Sequence, residues 1–309
     1  MIHRRDFLKS TLLAGAAVSG LARSAFATAR LSQPSQTSAA PAASRARIDI
    51  HVHLGRDQQE QFTPDQLRPN VSAAAKWLVE QMDKKNIEKS LLVPVDPIMV
   101  TETYMQAAKE IPDRLLSACS VIPRSQDPLG QLRRWRDAGA RALKLQPMQY
   151  DPRDPAVERL VNEAVTLEMP VLFHYTDLPS AFPAWLEHLA TTFRQGNFVV
   201  IHFGGIYGFR DVLRLGHFLP NVWLETSTAF IRVVNSPLRS DLHFMLEAAT
   251  GAPGQPAPLP RISKLIFGSE HPRDYDDVIA GIDSLTEKLA PEVRAAIYRG
   301  NAARLLKLS

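Results

Sequence analysis

The stretch Ile48-Asp49-Ile50-His51-Val52-His53-Leu54-Gly55 decides how the rest of the chain is read. It alternates apolar and polar residues and ends on two histidines one residue apart. In a β-strand residues i and i+2 share a face, so the spacing predicts that His51 and His53 stand side by side. Such a pair suits a metal centre, and equally suits two histidines that line a core. The remainder of the chain must supply partners for the first alternative.

Seven further stretches have the same apolar, strand-like character: 89–96 (KSLLVPVD), 115–123 (LLSACSVIP), 141–147 (RALKLQP), 170–177 (PVLFHYTD), 197–205 (NFVVIHFGG), 221–228 (NVWLETST) and 264–272 (KLIFGSEHP). The intervals between them read as helices. Ala75, Leu78, Val79 and Met82 mark one apolar helical face. Asp154-Pro155 forms a helix start, followed by Val157, Leu160, Val161 and Ala164 at the same spacing, and Met169-Pro170 ends that helix. Eight strand–helix repeats predict an α/β chain whose parallel sheet closes into a single-domain (β/α)8 TIM barrel over 47–309. An open doubly wound sheet is the alternative, but no Gly-x-Gly-x-x-Gly turn follows the first strand. The Pro/Gly-rich stretch 250–261 reads as a loop on the N-terminal face, and Asn301 as the cap of the last helix.

A barrel tests the histidines, because its chemistry collects where strands end. His51 and His53 close the first stretch; Lys144, His174 and His202 come late in the fourth, fifth and sixth, and Glu270 late in the eighth. His188, His217 and His243 fall in helical intervals and read as surface or packing residues. Imidazoles and a carboxylate at one rim suit Zn²⁺ or a similar divalent ion with an open position for water. Asp49 shares the parity of the histidine pair and is expected to support one of them by a hydrogen bond. His271, of opposite parity to Glu270, is expected to support the loop. Arg124, Arg273 and Lys144 are candidate anion holders, and Tyr175 a candidate wall of the pocket.

Composition narrows the partners. Of 309 residues 45% are apolar and 22% charged, and the formal charge is +4. Four basic residues and one acid lie in the first 27 positions, leaving 32 basic and 31 acidic residues beyond them. No basic stripe suggests nucleic acid, and nothing sets an oligomeric state. Cys119, the single cysteine, excludes an internal disulfide and a cysteine-rich zinc site. Residues 1–27 resemble a twin-arginine export signal: Arg4-Arg5, then the run 11–22 (TLLAGAAVSGLA) and Ala-Phe-Ala at 25–27, although His3 stands where Ser or Thr is usual. The run is too short for a stable membrane span. Residues 28–46 read as a Ser/Ala/Pro-rich disordered linker. These features predict an exported, periplasmic enzyme of a small molecule.

The stretches IDIHVHLG, GARALKLQP, PVLFHYTD, VVIHFGG, IFGSEHP and YRGNAARLL together resemble the amidohydrolase superfamily, in its amidohydrolase-related branch of metal-dependent hydrolases and decarboxylases. The resemblance covers nearly all of 47–309 in order. It implies a divalent metal held by His51, His53, His174 and the strand-eight carboxylate, with His202 acting beside it as acid or base or binding substrate. That carboxylate is usually aspartate; here it is Glu270, which could ligate or act as a base through water. Lys144 could be carboxylated to bridge two ions or stay an ammonium that pairs with a substrate carboxylate, and one ion is favoured over two. The expected chemistry is hydrolysis of an amide, ester or lactone of a small anionic substrate by metal-activated water. The alternatives are non-oxidative decarboxylation of a carboxylated aromatic, and a non-catalytic exported binding protein.

Overall fold

The computed structural model describes residues 46–55, 64–146, 154–175, 182–242 and 264–308. Residues 1–45, on which the export-signal and linker readings fall, the stretch 250–261 read as a loop, and His243 lie outside the described residues.

The strands are β1 (Arg47–Val52), β2 (Ile87–Leu92), β3 (Leu115–Ser117), β4 (Cys119–Ser120), β5 (Leu143–Leu145), β6 (Val171–His174), β7 (Phe198–Ile201), β8 (Val222–Glu225) and β9 (Leu265–Ile266). All pair in parallel and in chain order, β1 to β3 in one run and β4 to β9 in the other. β3 and β4 are halves of one barrel strand. The Ala118 N–H still bonds to Leu92 of β2, whereas the next N–H, of Cys119, turns to Ala142 beside β5. The seam between last and first strands is closed by Ile50 N–H to Phe267 O at 3.1 Å, Glu270 N–H to His51 O at 2.7 Å and His53 N–H to Glu270 O at 3.0 Å. Eight parallel strands without an edge make a closed barrel, as the repeated strand–helix pattern predicts.

The helices are α1 (Pro64–Lys84), α2 (Thr101–Glu110), α3 (Pro128–Asp137), α4 (Pro155–Thr166), α5 (Phe182–Thr192), α6 (Gly205–Phe218), α7 (Ala229–Val234), α8 (Tyr275–Thr286), α9 (Pro291–Ala295) and α10 (Asn301–Leu305). The expected face of α1 is buried at Ala75, Leu78 and Met82. Asp154 caps α4 by accepting the Ala156 N–H at 3.0 Å, and Val157, Leu160, Val161 and Ala164 are all buried. Asn301 departs from expectation. A π-helical turn (Ala296–Gly300) carries the chain helically from α9 into α10, so no helix end exists there to cap. Its amide instead donates to Leu265 O at 2.8 Å, tying α10 to β9. None of the described helices is long and apolar enough to cross a membrane.

Strand residues divide by parity into two apolar layers. Val171, Phe173, Phe198, Val200, Val222 and Leu224 pack outward with the helices. Leu172, Val199, Ile201, Trp223 and Ile266 fill the barrel with Ile48, Ile50, Leu91 and Val93, and Ala302, Leu305 and Leu306 close its floor.

Candidate active site

Three inner-facing series turn polar at their C-terminal ends. Ala142 is followed two residues on by Lys144, Leu172 by His174, and Trp223 by Glu225; Lys144 and Glu225 are completely buried. β1 reaches the same mouth less regularly. Ile48 and Ile50 belong to the inner layer but Val52 and Leu54 to the outer one, and the register with β2 shifts between Asp49 and Val52. This irregularity frees the end of β1 from simple alternation.

Four imidazoles converge there. The ring centroids lie 5.0 Å apart for His51 and His53, 5.3 Å for His51 and His202, and 4.6 Å for His174 and His202. His53 Nδ1 is 2.8 Å from Val93 O. A carbonyl only accepts, so Nδ1 carries the proton and Nε2 keeps its lone pair. His51 Nδ1 is 3.4 Å from Glu225 Oε2, and its buried Nε2 has no hydrogen-bond partner among the described residues. His202 Nδ1 lies 2.9 Å from Ser227 Oγ.

The backbone that presents these groups is strained. His202 and Phe203 both have positive φ (60° and 57°), as do Thr228 (48°) and Glu270 (67°). Such conformations cost about 1–3 kcal/mol each outside glycine and persist only where surrounding structure enforces them. At 202–205 they bend the chain sharply from β7 into α6, with Phe203 anchored against Phe230 at a centroid distance of 5.3 Å.

Burial sets the electrostatics. It is the largest influence holding His51 and His202 far below the ordinary histidine range, and it takes His174 to about 3, with the Lys144 charge acting the same way on all three. These rings are therefore neutral, as metal ligands and proton acceptors must be. Burial also lowers the Lys144 amine to about 7, against the pull of Glu225 and Glu270. It raises the Glu225 carboxyl to about 7, opposed by hydrogen bonds from His202 and Ser227. Among the described residues Lys144 Nζ finds no hydrogen-bond partner.

The other residues anticipated from sequence are distributed unevenly. Glu270 accepts a hydrogen bond from Thr228 and lies 3.8 Å from His202 Nδ1. Tyr175 is buried against Gly208, where an added Cβ would stand 2.6 Å from the ring. Asp49 serves the backbone of His51, accepting its N–H at 3.0 Å, and also accepts the Ser269 hydroxyl at 2.6 Å. Arg124 is largely exposed and paired with Asp154. Arg273 is part-exposed, 3.6 Å from Asp274. Two residues were not nominated for the cluster. His271 has its ring 5.9 Å from His53, and the left-handed Glu270 explains why alternation misplaces it. Glu225 ends the apolar run Val222-Trp223-Leu224, the same signal that marks Lys144.

His51, His202 and Glu225 each offer a ligand atom within 4.8 Å of the others. The orphaned His51 Nε2 and the neutral neighbouring rings fit a divalent ion. A family model described as "Amidohydrolase" matches residues 48–308, and the chain belongs to this metal-dependent enzyme family. The particular relatives are distant. A search of curated proteins finds no match. An uncharacterised TIM-barrel protein from Bordetella bronchiseptica is 17% identical, with a TM-score of 0.65 over 85% of this chain and 99% of its own. An amidohydrolase from Burkholderia multivorans with bound zinc is 18% identical (TM-score 0.59, 85% and 100%). A probable 2-pyrone-4,6-dicarboxylic acid hydrolase from Acinetobacter baumannii with citric acid bound is also 18% identical (TM-score 0.59, 84% and 99%). They share the barrel fold.

Proposed function

We propose that the protein is a hydrolase that uses one divalent ion, zinc, to cleave an amide, ester or lactone in a small anionic substrate. The observation that carries this reading is the buried, partnerless His51 Nε2 among neutral imidazoles at the mouth of a closed barrel. The zinc in the Burkholderia protein, and the citric acid in the Acinetobacter one, support the choice of ion and of an anionic substrate.

His51, His53 and His174 would hold the ion, with Glu270 as the carboxylate. When bound, it supplies Lewis acidity toward a carbonyl and lowers the pKa of water to near neutrality. The protein's own groups do the rest. Lys144, buried and without a hydrogen-bond partner, pairs with the substrate's anionic group. His202, neutral and facing the cluster, accepts a proton from the attacking water and returns it to the leaving group. Tyr175 walls the pocket and restricts water.

A panel of amides, lactones and aromatic carboxylates, assayed with Zn²⁺ and with chelator, tests the proposal. Metal-dependent hydrolysis with one ion per chain is the expected result. Release of CO₂ without hydrolysis would assign a decarboxylase instead, and a metal-free, inactive protein a binding role. We also propose twin-arginine export on the strength of residues 1–27. Fractionation of cells expressing the full chain should find the wild type outside the cytoplasm and an Arg4→Lys/Arg5→Lys variant retained within it.

A further inference from the structure

Glu225 has no part in the chemistry just described, yet its carboxylate is heavily engaged. Its Oε1 accepts the Ser227 N–H at 2.7 Å. Its Oε2 accepts the His202 N–H at 2.9 Å and the Ser227 hydroxyl at 2.7 Å, and faces His51 Nδ1 at 3.4 Å. Each carboxylate oxygen has about two lone-pair sites; here Oε2 faces three donors and Oε1 one. An acceptor so occupied is poorly placed to ligate an ion itself, although it lies within ligand range of His51 and His202.

The proton directions then follow in sequence. Ser227 has one hydroxyl proton and gives it to Glu225, so toward His202 the Ser227 oxygen accepts. His202 Nδ1 must therefore carry a proton, and its Nε2 is bare. Facing the carboxylate directly, His51 Nδ1 also carries its proton, which leaves the orphaned Nε2 bare as well. The neighbouring strand is shaped to admit this carboxylate. A Cβ added at Gly268 would stand 2.6 Å from Glu225 Cγ and 2.7 Å from Cδ, closer than such atoms approach. The glycine of Ile266-Phe267-Gly268-Ser269-Glu270 thus leaves room for Glu225.

We propose that Glu225 is a positioning residue that fixes His51 directly, and His202 through Ser227, as Nδ1–H tautomers, so that one ring offers Nε2 to the ion and the other to the proton. This use of the two Nε2 atoms rests on the hydrolase reading above; the tautomers themselves do not. Carboxylates that orient ligand histidines are typically worth 10–100-fold in metal affinity or activity.

The test is long-range ¹H–¹⁵N NMR of the metal-free protein labelled at histidine, which reads each ring's tautomer without turnover. The wild type should show Nδ1–H at His51, His53 and His202. In Glu225→Ala the acceptor facing His51 is gone, and His51 should lose its fixed Nδ1–H form for a mixture with Nε2–H. His53, held by Val93 O, should not change, and so reports that the mouth is folded. Glu225→Asp should keep the wild-type tautomer at His51, and Gly268→Ala, which displaces the carboxylate without removing it, should loosen that tautomer as Glu225→Ala does. Hydrolysis should fall ~10–100-fold in Glu225→Ala and recover in part in Glu225→Asp. Nε2–H at His51 in the wild type, or an unchanged His51 in Glu225→Ala with His53 intact, overturns the proposal. If no substrate is hydrolysed but the tautomers behave as stated, the hydrolase reading fails and the positioning role stands.

Discussion

The floor and the mouth of this barrel are built from the same strands, two residues apart, and follow opposite rules. At the floor Leu172, Val199, Trp223 and Ile266 interlock under Leu305 and Leu306. At the mouth His174 and Glu225, the next inner-facing residues after Leu172 and Trp223, are ionisable, and among the described residues Lys144 Nζ and His51 Nε2 find no hydrogen-bond partner despite burial. Backbone strain follows the same division. Of the described non-glycine residues with positive φ, Asn86, Glu168 and Lys307 lie just beyond helix C-termini, where a left-handed residue is the usual stop; the other four lie at the mouth. The floor thus holds the fold together, while the mouth gives up stability to keep reactive groups unsatisfied until a ligand arrives.

Breaking the mouth should change activity most. His51→Ala should abolish metal retention and lower kcat/KM by more than the ~10–100-fold expected for an outer partner, with little loss of thermal stability in the metal-free protein; metal analysis and calorimetry check both. Breaking the floor should do the reverse. Leu172→Ala, one step below His174 in the inner layer, should cost about 2–5 kcal/mol of unfolding free energy, read by denaturant titration, while the metal content of the folded fraction stays unchanged. If His51→Ala destabilises as much as Leu172→Ala, the division is wrong.

Smaller changes sharpen the contrast. Gly208→Ala drives a Cβ into the Tyr175 ring and should cost about 1–3 kcal/mol by overpacking, with KM rising more than kcat falls in steady-state assays. The floor also has one titration to measure. Lys264 lies 4.2 Å from the Trp223 ring centroid, and its amine is lowered to about 8, first by burial and then by the Arg304 charge. Between pH 8 and 10.5 the unfolded chain holds the extra proton, so stability should rise with pH across that window and be level below it. In Lys264→Met that rise should flatten, as followed by melting temperature against pH.

Much of this division is legible in the sequence. The eight strands announce themselves as short apolar runs, and Lys144, His174 and His202 stand out because each interrupts such a run near its end. Glu225 obeys the same rule after Val222-Trp223-Leu224 and was equally readable; attention to histidine spacing passed it by. Other features were hidden for physical reasons. The register shift in β1 turns the Asp49 carboxylate to the backbone of His51 and to Ser269, and the left-handed Glu270 brings His271 toward the cluster against its parity. Asn301 follows a π-turn that propensity does not announce. Arg124 sits after the third barrel strand as expected, but its pairing with Asp154 depends on where α4 begins.

The seam has a consequence for biogenesis. Asp49 and Ser269, bonded across it, are 220 positions apart in the chain, and Glu270 is stitched between the backbones of His51 and His53. A ribosome therefore releases the histidine pair long before it makes the segment that locks the pair in place. Tight cation capture should await the last barrel strand, so that metal uptake follows emergence of the segment around Ser269 and Glu270.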